Sequence, residues 1–218
     1  MQKPFVFTYT NINTYLICPE QMYRRYVKKD LEFKMTPEME FGNEVHSAME
    51  YRIGGKPLPV HMQKWEPFAA AFDGLKVKAE VKLGITAEGK PTGFFDKDVW
   101  LRGKADVVAI SGTACFLPDW KTGKPREEPL ELAVNAMLVH AANPHLRSFT
   151  GSYVWLKENR MGVPHDVSDT NSTWARVNNV IEEIKDSMQS GVWEKKRTPL
   201  CAWCDVFDCE NNKNPRKP

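Results

Sequence analysis

Long apolar runs are missing from this sequence. No stretch approaches the roughly 20 consecutive apolar residues that a membrane-spanning helix needs. The opening Met1-Gln2-Lys3-Pro4-Phe5 is too short and polar to begin a signal peptide. The expected location is therefore inside the cell, in the cytoplasm. A Gly/Ser linker, an internal repeat and a low-complexity tract are also missing, so nothing divides the 218 residues. One domain over 1–218, with a substantial core, is expected. An excess of one charge sign is missing as well: 30 Lys and Arg against 28 Asp and Glu leave +2. Global charge thus does not announce a nucleic-acid partner. Cysteine is scarce. The five (Cys18, Cys115, Cys201, Cys204, Cys209) argue, in a reducing compartment, for thiols or metal ligands rather than a disulfide framework.

Local charge is less even. Arg24, Arg25, Lys28 and Lys29 cluster early, Lys195, Lys196 and Arg197 late, and Lys213, Arg216 and Lys217 lie in the tail. Such clusters contact phosphates in some proteins and are plain solvated surface in more of them.

The pattern predicts helices first. Residues 10–29 carry an apolar-aromatic stripe (Tyr15, Leu16, Met22, Tyr23, Tyr26), with Thr10 or Asn11 as cap and a break near Cys18-Pro19. A helix from Pro37 to Arg52 stops at Gly54-Gly55, and 62–74 suits another short one. Strands are predicted over Val77–Leu83, over Phe94–Leu101, and in a hairpin turning at Gly112-Thr113. A nearly all-apolar helix from Pro129 to about Ala142 should lie buried against the sheet. A strand at Phe149–Leu156 and a helix at Trp174–Met188 follow, giving an α/β fold with a mixed central β-sheet flanked by helices.

The hairpin carries the sharpest chemical signal. With Gly112-Thr113 as the turn, Ser111 faces Ala114, and counting outward sets Asp106 opposite Asp119, roughly 5 Å apart at Cβ. Lys121 joins them on the same face. Facing carboxylates repel, and their neighbours (Val107–Ile110, Cys115–Leu117) are apolar on both sheet faces. A hard divalent cation removes the penalty. The blander alternative is a surface hairpin with a solvated Asp-x-Lys ion pair. His46, on a helix with Glu50 one turn on, and Glu80, on an alternating strand, are unremarkable alone; together with the aspartates they would complete an octahedral site with open water positions.

Cys201-Ala202-Trp203-Cys204, with Cys209 close behind, reads as a metal or cluster site. A fourth ligand would be Cys18, at a helix break, rather than Cys115, which sits among apolar strand residues. Three buried free thiols are the alternative, and spacing alone leaves both zinc and a [4Fe–4S] cluster open.

These segments, in this order, resemble the PD-(D/E)XK nucleases of the RecB-like branch, including the CRISPR-associated four-cysteine exonucleases and small phage exonucleases. The resemblance rests on Cys18-Pro19 with Tyr23 and Tyr26, on Gly42-x-x-x-His46 with Glu50, on Gly103-x-x-Asp106, on Asp119-Trp120-Lys121-Thr122-Gly123, and on the final cysteine triad. It implies a restriction-endonuclease-like core. It further implies Mg²⁺ or Mn²⁺ bound by His46, Asp106, Asp119 and the backbone carbonyl of Trp120, with Glu80 as an additional acid and Lys121 steering the attacking water. The implied substrate is DNA, as single- or double-stranded ends, with recombination or replication proteins as partners and no membrane. The cysteines would hold a [4Fe–4S] cluster, or zinc. The branch usually carries Gln and then Tyr in the helix after Asp-x-Lys. Here Glu131 and Asn135 take those places, and Glu131, Tyr23 and Tyr26 are the candidates for positioning substrate. The rivals are a catalytically inactive DNA-binding module and a structural module stapled by its cysteines.

Overall fold

The computed structural model describes residues 4–32 and 34–215. The chain begins with α1 (Tyr9–Ile17), α2 (Pro19–Met22), a π-helical turn (Tyr23–Val27) and α3 (Pro37–Ile53). A 3₁₀ stretch (Val60–Trp65) runs into α4 (Glu66–Ala70), and β1 (Val77–Ile85), β2 (Pro91–Thr92), β3 (Leu101–Ser111) and β4 (Ala114–Lys121) follow. Then come α5 (Pro129–Ala142), β5 (Ser148–Trp155), β6 (Arg160–Met161), β7 (His165–Asp166) and α6 (Thr170–Ser190). The described residues fall into two compact units, one of residues 4–6 and 35–174, the other of 7–32, 34 and 175–215.

The first unit holds a seven-stranded mixed sheet in the order β2-β1-β3-β4-β5-β6, with β7 also paired to β5. The β4–β5 pairing is parallel and the rest antiparallel. Along β5, Val154 belongs to the core that α3 closes with Val45 and Met49, together with Trp65, Val107 and Trp120. Gly151, of opposite parity, lies against Leu132 of α5. Strand alternation therefore puts α3 and α5 on opposite faces. As the composition of α5 predicts, most of that helix is buried. At Gly103 a Cβ would lie 2.7 Å from Leu138 Cδ1, so glycine lets α5 approach.

Two expectations need correction. Residues 93–100 are turns, and the strand begins at Leu101. Local side-chain bonds outcompete strand pairing there: the Thr92 hydroxyl lies 2.9 Å from Asp98 Oδ1 and 3.0 Å from Asp96 Oδ2, with one proton to share between them, and the Gly93 N–H donates to Asp96 Oδ2 at 2.7 Å. The first helix is capped by Thr8, whose hydroxyl accepts the Asn11 N–H while Asn11 Oδ1 accepts the Thr8 N–H.

In the second unit the chain breaks at Cys18, which is extended between α1 and α2. Tyr23 stacks on Trp193 with ring centroids 5.1 Å apart, and the Glu20 N–H donates to the Glu194 carbonyl. Among the described residues no helix is long and apolar enough to cross a membrane.

Candidate active site

The hairpin turns where the sequence predicts, with Gly112 at φ 59° and Ser111 paired to Ala114. The β3–β4 ladder then continues only to Ala109–Phe116. The next hydrogen-bonded pair would need an N–H from Pro118, which has none. Beyond it the strands are joined by a side chain: Asp106 Oδ2 accepts the Trp120 N–H at 2.8 Å in a buried bond. Asp106 is thus fixed in a gap in the sheet and is only 5 % exposed.

Two more residues reach this gap. His46, from the middle of α3, sets Nδ1 3.2 Å from Asp106 Oδ1 and 3.3 Å from Glu80 Oε1. Glu80 lies opposite Asp106 in the β1–β3 register, but pairing is interrupted there, between Ala79–Val107 and Val81–Ala105. Its backbone is left-handed, at φ 52°, which for a non-glycine residue is strained by about 1–3 kcal/mol. The donor atoms of His46, Glu80 and Asp106 all lie within 4.8 Å of one another. Glu80 also forms an ion pair with Lys104. Burial alone would lower the His46 pKa; the two carboxylates outweigh it and push it up to about 10. Burial likewise works against the Glu80 charge, yet His46 and Lys104 hold its carboxyl below the usual range. A proton on His46 here occupies the electrostatic place of a cation. One imidazole and two carboxylates form a donor set suited to Mg²⁺ or Mn²⁺.

Asp119, Lys121, Glu131 and Tyr153 form the adjoining group. Asp119 is 6 % exposed, and burial, followed by the Asp106 charge, pushes its pKa up. Its Oδ2 has no directed hydrogen-bond donor; it has only the Lys121 ammonium at 2.7 Å, as an ion pair. Taking such a carboxylate out of water costs several kcal/mol, which the attraction within a buried pair offsets only when the remaining lone pairs are hydrogen-bonded. Stability alone therefore does not account for it, whereas a bound cation would complete it. Lys121 Nζ also donates to Glu131 Oε2 at 2.9 Å. Although burial opposes its charge, the two carboxylates raise the lysine's pKa further above the ordinary range. The Tyr153 hydroxyl lies 2.7 Å from the Glu128 carbonyl and 3.1 Å from Glu131 Oε2. Its ring lies 5.1 Å beneath the lysine ammonium.

The fold thus brings together His46, Glu80 and Asp106, with Asp119 and Lys121 beside them. Glu131, a candidate for positioning substrate, pairs with Lys121, and Asn135 is buried. Tyr153 was missed. Only its parallel pairing with Asp119 brings it here, and no local pattern signals that. Tyr23 and Tyr26 belong to the other unit, and both are half-buried. Most of the early basic cluster is neutralised in that unit. Arg24 pairs with Asp30 and Asp208, Arg25 with Asp205, Lys28 with Asp30, and Lys195 with Glu210. Arg216 and Lys217 lie outside the described residues.

Cys18, Cys201, Cys204 and Cys209 line one pocket of the second unit. All four are free thiols. Cys115 sits in β4 of the first unit, where burial pushes its thiol up to about 11.

A family model described as the PD-(D/E)XK nuclease superfamily matches residues 58–209. The chain belongs to that superfamily and is a nuclease of it. Solved structures of similar fold include "Crystal structure of SSO0001", at 12 % identity and TM-score 0.52, covering 97 % of this chain and 89 % of that one. A structure named "Putative exonuclease" from Eubacterium rectale shares 14 % identity at TM-score 0.57, covering 92 % and 87 %. A search of curated proteins finds no significant sequence match.

Proposed function

We propose that the protein is a Mg²⁺- or Mn²⁺-dependent deoxyribonuclease acting as an exonuclease on DNA ends, in the cytoplasm, alongside recombination or replication proteins. The observation that carries this reading is the convergence of His46, Glu80 and Asp106 beside the Asp119–Lys121 pair. His46, Asp106 and Asp119 would hold the ion, with the Trp120 carbonyl and Glu80 as further oxygen donors. A bound divalent ion lowers the pKa of its water and offsets charge developing on the phosphodiester. Lys121 keeps its proton on Nζ and orients the attacking water through that N–H. Glu131 and Tyr153 restrain the lysine side chain. Cys18, Cys201, Cys204 and Cys209, which line one pocket, would hold a [4Fe–4S] cluster, with zinc as the alternative. Broad visible absorbance after anaerobic purification distinguishes them, since zinc has none.

The test is digestion of end-labelled single- and double-stranded DNA with Mg²⁺ or Mn²⁺. Cleavage by the wild type should be lost in Asp119→Ala and Lys121→Ala with the fold retained. DNA that is bound but left uncut by the wild type with both ions would point to an inactive binding module.

A further inference from the structure

Next to Glu80, β1 and β3 carry cations on one sheet face. The register pairs Lys82 with Lys104 and Gly84 with Arg102, so alternation puts Lys82, Arg102 and Lys104 on a common face. Lys82 and Lys104 are both exposed. The row leads toward the candidate active site, because Lys104 forms an ion pair with Glu80.

The turns before β3 add an aromatic surface to this row. Phe95 is 76 % exposed, and its ring meets that of Phe94 edge-on at 4.9 Å. The Arg102 guanidinium lies 4.6 Å from the Phe94 ring and 5.7 Å from the Phe95 ring, and its Nη1 donates to the Phe94 carbonyl at 3.1 Å. Lys82 Nζ is 5.7 Å from the Phe95 ring. The Asp96 and Asp98 bonds to Thr92 and Gly93 fix the loop that presents them.

We propose that Phe95, backed by Phe94 and flanked by Arg102, Lys82 and Lys104, is a stacking platform for single-stranded DNA. An exposed aromatic ring with two cations over it at 5.7 Å offers an unpaired base a stacking partner and its phosphates a counter-charge. In a duplex the bases already stack on one another and offer the ring no face. That the platform feeds a strand to His46, Glu80 and Asp106 rests on the nuclease reading; the binding itself does not.

The experiment measures fluorescence anisotropy of a labelled oligothymidylate with the full chain in EDTA, so that no cleavage intervenes. Phe95→Ala is expected to weaken binding about tenfold, the range of one lost base–aromatic stack. Phe95→Trp should retain it, and Val60→Ala, a change at another exposed apolar residue, should leave it unchanged. Arg102→Ala and Lys82→Ala should each lower the slope of affinity against salt by about 0.7 per phosphate lost. Wild-type affinity in Phe95→Ala, or tighter binding of the wild type to the matching duplex, overturns the platform. If Phe95→Ala loses binding while the wild type cuts no DNA with Mg²⁺ or Mn²⁺, the platform stands and the nuclease reading falls.

Discussion

Lys121 donates its ammonium to Glu131 at 2.9 Å, so a lysine already paired with Asp119 is held from a second side by α5. The glutamate stands where related nucleases usually have glutamine. Its carboxylate fixes Nζ in place, and Tyr153 in turn restrains that carboxylate. Glu131→Ala should therefore lower single-turnover cleavage roughly tenfold, within the range for a misplaced catalytic group. Glu131→Gln, which keeps an acceptor oxygen, should recover most of the rate. Equal rates in the alanine variant and the wild type would remove Glu131 from the machinery.

The metal-free protein should be most stable on the acidic side. His46 has a raised pKa, so its contribution is complete below the unfolded value of about 6.5 and is lost as pH rises through about 10. Asp119 acts in the same direction. Its raised pKa means the fold holds a proton that the unfolded chain releases, so stability falls as pH climbs from about 4 toward that raised value. Melting in EDTA should accordingly show a falling midpoint from about pH 6 to pH 10. A metal reverses the trend because it displaces the His46 proton. The rise in midpoint on adding Mn²⁺ should grow with pH in the wild type and lose much of that growth in His46→Ala. An increment that shrinks as pH rises would contradict the assignment.

Glu80 pays for its position with a left-handed backbone. Glu80→Ala and Glu80→Gly both remove the carboxylate, and the glycine additionally relieves the positive φ. The glycine variant should be the more stable of the two by about 1 kcal/mol in denaturant melts. Both should bind Mn²⁺ more weakly than the wild type. An alanine variant as stable as the glycine variant would mean that no strain is stored there.

Cys204→Ser should lower iron or zinc content per chain and the melting temperature together, because Cys204 shares its pocket with three other thiols. Cys115→Ser, in the sheet core, should cost stability through burial of a hydroxyl and leave metal content unchanged. Identical metal content in the wild type and Cys204→Ser would return the cysteines to the class of plain buried thiols.

The local sequence determined the parts with short-range causes. Turn chemistry at Gly112-Thr113 set the hairpin register, Pro37 and Pro129 set helix starts, and the nearly all-apolar composition of 129–142 set which helix would be buried. Those features also made Asp106, Asp119 and Lys121 visible as candidates, and His46 gained weight only in their company. The tertiary structure decided what depends on distant partners. The parallel β4–β5 register delivered Tyr153 to Asp119, and α5 brought Glu131 onto Lys121. The placement of Phe95 beside Arg102 and Lys82 likewise exists only once β1 and β3 are paired. Sequence periodicity reports a residue's own strand or helix; it carries no record of which strand lies next to it, and that adjacency is what assembles this site.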